Sequence, residues 1–136
     1  MEQQWQEKIE AWCRERPLRL CVLFGSQATG RSHAQSDVDL AVWPAKPVPA
    51  MTKLQWLVEL QKLLDKEVSL VLVTPDLDPV LGFEIVRDGR LLYERDPNTW
   101  LKARSQLWYA YNDSLPFRRA AREQLRQFAQ EIRRGT

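Results

Sequence analysis

The sequence of 136 residues is poor in the residue types that build metal and disulfide sites. It contains one histidine, His33, and two cysteines, Cys13 and Cys21, which do not form a C-x-x-C pair. A structural zinc site usually needs about four such ligands, so this class of site is excluded. We expect both thiols to be buried and reduced, as is usual in a cytoplasm.

Long hydrophobic runs are also missing. The longest ones, Leu20–Phe24 and Leu70–Val73, have the length of strands, whereas a membrane span needs roughly 18 apolar residues. The first five residues are polar with one tryptophan, so a secretion signal is not expected. With 44% hydrophobic and 28% charged residues, the chain is predicted to be one globular, cytoplasmic protein without a membrane partner.

The charge is unevenly distributed, although the net charge is only +2. Residues 100–136 carry +5, so residues 1–99 carry −3. A basic tail on a mildly acidic body predicts a surface for a partner. Nucleic acid is not the expected partner, because the tail lacks interleaved exposed aromatic residues and its charge is modest.

Apolar spacing and turn residues predict alternating helices and strands. Strands are predicted over Leu18–Phe24, Val38–Trp43, Glu67–Val73 and Arg90–Glu94, and helices over 2–15, 52–64, 79–88 and from Asp96-Pro97 onward, with a restart at Pro116. This order indicates an α/β fold: a small mixed sheet of about four strands with flanking helices, plus a C-terminal helical arm. We expect residues 1–96 to form the body and residues 97–136 to pack on it or project from it.

Two details of these helices can be tested directly. In the helix that follows the second strand, Thr52 is predicted to be the cap, and Leu54, Leu57, Val58 and Leu64 are predicted to face the core. Asp78 followed by proline predicts the capped start of the next helix, and a glycine at position 89 predicts its end.

The segment between the first two predicted strands carries the residues with chemistry. Gly25 and Ser26 follow the first strand, and Asp37-x-Asp39 opens the second. Gly25 has no Cβ, so the backbone can approach a phosphate, while Ser26 offers a hydroxyl and an N–H group. Asp37 and Asp39 lie two residues apart on a strand, so both carboxylates point to one face, about 6.6 Å apart along the chain. Two carboxylates together with substrate phosphates suit Mg²⁺.

Two other motifs resemble parts of this segment and are rejected. Residues 25–32 nearly match the P-loop motif, but Arg31 replaces the lysine. Only four residues separate the end of this segment, Ser32, from Asp37. That leaves no room for the helix whose N-terminus binds phosphate. Asp37-x-Asp39 could also open an EF-hand, but Val48 stands where the bidentate glutamate belongs.

Gly25-Ser26, ten residues, and Asp37-x-Asp39 together resemble the signature of the nucleotidyltransferase superfamily. The segment Gly89–Arg95 is similar to a late G-x-x-L-Y-E element of the minimal nucleotidyltransferase (MNT) family, the antitoxin half of HEPN–MNT toxin–antitoxin modules. The resemblance runs from about Leu18 to Arg95, and more loosely into the C-terminal helix.

The resemblance implies a nucleotidyltransferase fold and a transfer of AMP from ATP to a hydroxyl group. The acceptor it implies is a tyrosine of a cognate HEPN ribonuclease toxin, with which the chain would form an oligomer. Asp37 and Asp39 would be the catalytic residues that bind Mg²⁺, and Gly25 and Ser26 would bind the nucleotide. Arg31 either contacts phosphate or faces solvent.

One position departs from the pattern of active family members. These usually carry a third carboxylate on the next strand, in a segment that looks like V-D-L-V, whereas this chain has Ser69 at that position. A serine supplies neither the charge to bind the metal nor the basicity to deprotonate the acceptor hydroxyl. Glu67 shares the face of Ser69 by the period of two and is the first substitute to consider. Asp76 and Asp78 are further candidates.

Two functions therefore stay open. The chain is either an enzyme that silences its toxin by AMP transfer, or a protein with a weakened site that neutralises the toxin by binding only. Nucleic-acid binding through the basic tail is the third and weakest interpretation. Residues 100–136 are expected to contact the toxin through aromatic residues such as Trp108, Tyr111 and Phe117, unless these pack on the body.

Overall fold

The structure, a computed structural model, describes residues 2–25 and 37–135. Within them the chain forms helices α1 (Glu2–Arg14), α2 (Ala50–Leu64), α3 (Pro79–Asp88), α4 (Thr99–Asp113) and α5 (Leu115–Arg134), and strands β1 (Leu18–Phe24), β2 (Val38–Pro44), β3 (Val68–Leu72) and β4 (Arg90–Glu94). The predicted α/β class is confirmed. None of the helices in these two ranges is long and apolar enough to cross a membrane.

The four strands form one mixed sheet in the order β3-β2-β1-β4. Strand β1 is antiparallel to both of its neighbours, β2 and β4, whereas β2 and β3 are parallel. The parallel pair is connected through α2, because parallel neighbours need a crossover. The mixed sheet of about four strands is confirmed, and β3 and β4 form its edges.

Helices cover both faces of the sheet, and strand β2 contributes to both cores by alternation. Val38, Leu40 and Val42 belong to the apolar cluster under α1 and α2. Ala41 and Trp43 belong to the cluster under α3 and α4. We call these the α1–α2 face and the α3–α4 face. Because side chains alternate along a strand, Asp39 shares the α3–α4 face with Ala41 and Trp43.

The buried side of α2 agrees with the predicted one at Leu64, which is buried, and at Leu57, which packs against the core, but not elsewhere. Leu54 and Val58 are exposed, although their spacing predicts core positions. The buried residues of the helix are Trp56, Leu60 and Leu64. Apolar residues occur on several sides of this helix, so spacing does not select one. Packing does, because the ring of Trp56 meets the edge of Trp12 on α1, with centroids 5.9 Å apart.

Two predicted helix starts are wrong, and one is confirmed. Helix α2 begins before Thr52, which therefore does not cap it. Helix α4 begins at Thr99 instead of at Asp96-Pro97, and the backbone N–H of Trp100 donates to the Glu94 carboxylate at 3.2 Å. The side chain of Glu94, at the end of β4, thus satisfies a free amide in the first turn of the helix that a capping residue would otherwise satisfy. Helix α3 starts as predicted, with Asp78 Oδ1 accepting from the backbone N–H of Val80 at 3.0 Å.

The C-terminal helices differ in how they contact the body. Trp100 and Ala103 of α4 are buried in the cluster on the α3–α4 face. Tyr111, near the end of α4, stacks on Phe83 of α3 at 4.1 Å between centroids. Helix α5 restarts after Ser114 and has no buried residue. The predicted helical arm is therefore confirmed, with α4 packed on the body and α5 uncovered.

Candidate active site

The end of β1 lies directly against the carboxylate of Asp39. Phe24, the last residue of β1, is paired with Asp39 of β2. The next residue, Gly25, has φ +74°, and a Cβ placed there would lie 2.3 Å from Oδ2 of Asp39 and 3.2 Å from its Cγ. Only glycine suits both the left-handed backbone and the space beside the carboxylate. The first half of the sequence motif and part of the second are thus in contact.

Ser69 lies beside Asp39 on the neighbouring strand. The two residues are register partners in the parallel β2–β3 pair, and neighbouring strands are about 4.8 Å apart. Ser69 is exposed and shares the α3–α4 face with Asp39. The structure therefore places a serine next to the aspartate, where the family pattern leads one to expect a third carboxylate.

Asp37 and Glu67 extend this pairing by one position. The backbone N–H of Val38 donates to the carbonyl oxygen of Glu67 at 2.9 Å, just before β2 and β3 begin. Both acidic side chains are exposed. By alternation, Asp37 shares the face of Asp39, and Glu67 shares the face of Ser69. Two rows of polar residues, one on each strand, therefore run towards the same end of the sheet.

The environment of Asp39 disfavours its negative charge. Burial raises the pKa of this carboxyl above its usual value, and the charges of Asp37 and Glu84 raise it further. Like charges close together repel each other, and desolvation penalises the ionised form. A cation shared by Asp37 and Asp39 would remove part of this repulsion.

Glu84 is a residue of the site that sequence reasoning missed. Helix α3 starts beyond the far end of β3 and runs back along the sheet. It ends just before Arg90, which pairs with Leu23, two residues before Gly25. This return path carries Glu84 close enough to act on Asp39. The only signal in the sequence is an acidic residue in the last turns of a helix, which is too common to be informative.

The neighbouring Arg87 is held by acidic side chains. Its guanidinium donates to both carboxylate oxygens of Asp88, at 3.0 and 3.2 Å. The hydrogen bond and charge of Asp88, together with the charge of Glu84, raise the pKa of Arg87. A permanently charged side chain therefore stands near Glu84, at the end of α3 that approaches the site.

Two other candidates lie at the wrong end of the sheet. The backbone N–H of Val73 donates to the carbonyl oxygen of Val42 at 2.8 Å, which places the end of β3 beside the end of β2. Asp76 and Asp78 follow this point, whereas Asp39 lies near the start of β2. Asp78 is also engaged as the cap of α3. Neither residue can replace the third carboxylate.

Two predicted nucleotide-binding residues, Ser26 and Arg31, lie outside the described residues, as does His33. Among residues 2–25 and 37–135, no group of three or more histidine, cysteine or acidic side chains could hold a metal ion. The pair Asp37 and Asp39 remains, and Mg²⁺ commonly binds through one or two carboxylates plus substrate phosphates. The residues therefore fit an ion that arrives with a nucleotide.

Comparison with known proteins identifies the family. Residues 7–98 match the family described as "Polymerase beta, Nucleotidyltransferase". A search of curated proteins finds no match. Among solved structures, the chain is similar to one from a toxin–antitoxin crystal structure with AMP-PNP, at 26% identity and a TM-score of 0.77, covering 88% of this chain and 97% of that one.

Two further likenesses concern the fold alone. One is to a chain in a complex of tri-AMPylated Shewanella oneidensis HEPN toxin with MNT antitoxin, at 24% identity and a TM-score of 0.75, covering 92% of this chain and 98% of that one. The other is to a chain of the MntA–HepT toxin–antitoxin, at 24% identity and a TM-score of 0.74, covering 90% and 97%. The family match spans about two thirds of the chain and includes Gly25, Asp37 and Asp39. The protein therefore belongs to the polymerase beta nucleotidyltransferase family.

Proposed function

We propose that this protein is an MNT-type antitoxin that transfers AMP from ATP to the hydroxyl group of a tyrosine on a cognate HEPN ribonuclease toxin. The observation that carries the proposal is the environment of Asp39. Its carboxylate lies against Gly25, and burial together with the charge of Asp37 raises its pKa. The likeness to chains of toxin–antitoxin complexes supports the choice of partner.

In this proposal Asp37 and Asp39 would hold Mg²⁺ and, through it, the phosphates of ATP. The bound ion would polarise the reacting phosphate and offset the charge of the departing pyrophosphate. Gly25 would let the phosphates approach the backbone at the end of β1, because any larger residue would meet the carboxylate of Asp39. Ser26 and Arg31 are proposed to contact the phosphates beside it.

The transfer itself exchanges one bond for another. The acceptor oxygen forms a bond with the α-phosphorus of ATP, and the bond between this phosphorus and pyrophosphate breaks. The hydroxyl proton must go to a base. Glu67 is the proposed base. Its carbonyl oxygen accepts a hydrogen bond from the backbone N–H of Val38, which sets Glu67 next to Asp37 along the paired strands, and its side chain is exposed. Ser69 is a poor base, so a site relying on it would be slow.

The second candidate function is neutralisation by binding only. Ser69 is the register partner of Asp39, and no group of three acidic side chains in the described residues could hold a metal ion. Both observations favour a site with little activity. In that case the protein would inactivate the toxin by covering it.

Co-expression with the HEPN protein, followed by mass spectrometry of that protein, tests the proposal. We expect wild type to add AMP, and Asp37→Asn combined with Asp39→Asn to abolish the adduct. If Glu67 is the base, Glu67→Gln should lower the rate by about 10²–10⁴-fold, and Ser69→Asp should help little, because it crowds like charges. If Glu67 is not the base, Ser69→Asp should accelerate transfer.

If the toxin stays unmodified but is still neutralised by wild type, Ser69→Asp and Glu67→Gln, this result would contradict transfer and leave neutralisation by binding only.

The protein would work in the cytoplasm, where ATP and the toxin occur. Residues 97–136 are proposed as the extension that contacts the toxin. Tyr111 is not a free anchor in that extension, because Phe83 and Arg118 cover its two sides at 4.1 and 3.8 Å.

A further inference from the structure

Helix α5 exposes an apolar stripe along its whole length. Its twenty residues correspond to about 30 Å, and none of them is buried. The large apolar side chains that remain exposed, between 53% and 79% of their surface, are Phe117, Leu125, Phe128 and Ile132. Together with the small residue Ala121 they form one contiguous line. Such a surface is usually covered by a partner.

The spacing of this stripe is that of a helix–helix seam. Ala121, Leu125, Phe128 and Ile132 follow each other at intervals of four, three and four residues. At about 100° per residue, these side chains and Phe117 occupy a sector of roughly 80°. A sector this narrow is typical of pairing with one other helix, whereas helices that lie on a membrane have a wide apolar face.

The charge of α5 indicates the chemistry of the occupant. The helix carries six arginines against two glutamates, a net charge of +4. By the same helical geometry, Arg122 lies about 60° from one edge of the stripe and Glu131 about 40° from the other, so the positive charge comes from the helix as a whole. Two copies of α5 would bring these positive charges together, so a second copy of this chain is disfavoured. Acidic side chains beside an apolar seam would complement them.

We propose that α5 binds an amphipathic, acidic helix of the partner protein through the stripe from Phe117 to Ile132. The identity of that partner rests on the proposed function, but the chemistry of the occupant rests on α5 alone. RNA fits less well, because the two rings of the stripe, Phe117 and Phe128, lie eleven residues apart, and the residues between them offer no ring on which successive bases can stack. Recognition would then lie on α5, while the reacting residues lie at the end of β1 and β2.

A photo-crosslinking experiment tests the proposal on the full chain co-expressed with the HEPN protein. Benzoylphenylalanine replaces Phe128 in one variant and Gln130 in the matched control, since position 130 lies on the opposite side of the helix. We expect crosslinks from position 128 to a helix of the HEPN protein with aspartate or glutamate beside its apolar side chains. Crosslinks to a second copy, lipid or RNA, equal yields from both positions, or none, would overturn the proposal.

A second experiment measures the affinity of the same complex. Leu125→Glu combined with Phe128→Glu should weaken binding roughly 30-fold or more, as loss of central apolar anchors does. Gln130→Glu should leave the affinity within about twofold. Because α5 has no buried residue, both variants should keep the wild-type melting temperature. Unchanged affinity of the double variant would contradict the proposal.

Mass spectrometry of the HEPN protein in these complexes separates the two proposals. A toxin that crosslinks to position 128 but carries no AMP would contradict transfer and support the role of α5. A toxin that carries AMP while the Leu125→Glu, Phe128→Glu variant binds normally would support transfer and overturn the role of α5.

Discussion

The two faces of the sheet share their strands but differ in what covers them. On the α1–α2 face, the indole N–H of Trp12 donates to Glu59 at 2.9 Å, and Arg16 pairs with the same carboxylate. Helices α1 and α2 are thus joined over a fully apolar layer. On the α3–α4 face, the apolar layer reaches Phe24 of β1, but its neighbours in register, Asp39 on β2 and Ser69 on β3, are polar. Both faces bury apolar side chains, but the α3–α4 face also holds charges that oppose folding.

The largest effect should come from the α1–α2 face. Leu60→Ala removes a fully buried side chain and should lower the free energy of unfolding by about 2–5 kcal/mol. Val58→Ala on the same helix is the control, because Val58 is exposed and its loss should change stability by about 0.5 kcal/mol or less. Denaturation in urea measures both. If both variants lost the same free energy of unfolding, burial of Leu60 would not account for the packing of this side of α2.

A smaller effect on stability, with a larger one on binding, should follow Gly25→Ala. The left-handed backbone costs a residue with a Cβ about 1–2 kcal/mol, and the new Cβ would displace the carboxylate of Asp39. Calorimetry should show much weaker binding of ATP with Mg²⁺. Gly135→Ala is the control, because a Cβ there meets no atom closer than 3.5 Å. If Gly25→Ala bound ATP normally, Gly25 would not be part of the nucleotide-binding site.

The smallest effect should be a gain in stability from Asp39→Asn. Burial and the charges of Asp37 and Glu84 raise the pKa of Asp39 in the folded protein, so the ionised form weakens the fold. Wild type should therefore lose stability as the pH rises from the unfolded-state pKa of about 3.9 through the raised folded value. The variant should melt slightly higher at pH 7, and this difference should vanish below about pH 3.9.

Binding of ATP with Mg²⁺ should have the opposite effect and favour the wild-type carboxylates. ATP with Mg²⁺ at saturating concentration binds only the folded state and should raise the melting temperature of wild type, but not that of Asp37→Asn with Asp39→Asn. A lower melting temperature of ligand-free Asp39→Asn at pH 7 would contradict the repulsion between Asp39 and its neighbours. It would also show that the charges on the α3–α4 face do not oppose folding.

The features that depend on local geometry follow from the amino-acid sequence alone. Alternation along a strand put Asp37 and Asp39 on one face and the intervening Val38 into the core, and the spacing to Gly25 identified the family. These features could be predicted because the period of two is set by the backbone and not by neighbouring elements.

Packing in the folded protein set the features that depend on how helices and strands meet. It selected Trp56 and Leu60 as the buried side of α2, and the return of α3 brought Glu84 to Asp39. It also left α5 uncovered. An amphipathic pattern shows that a helix has an apolar side but not what covers it, because burial depends on contacts between residues far apart in the chain.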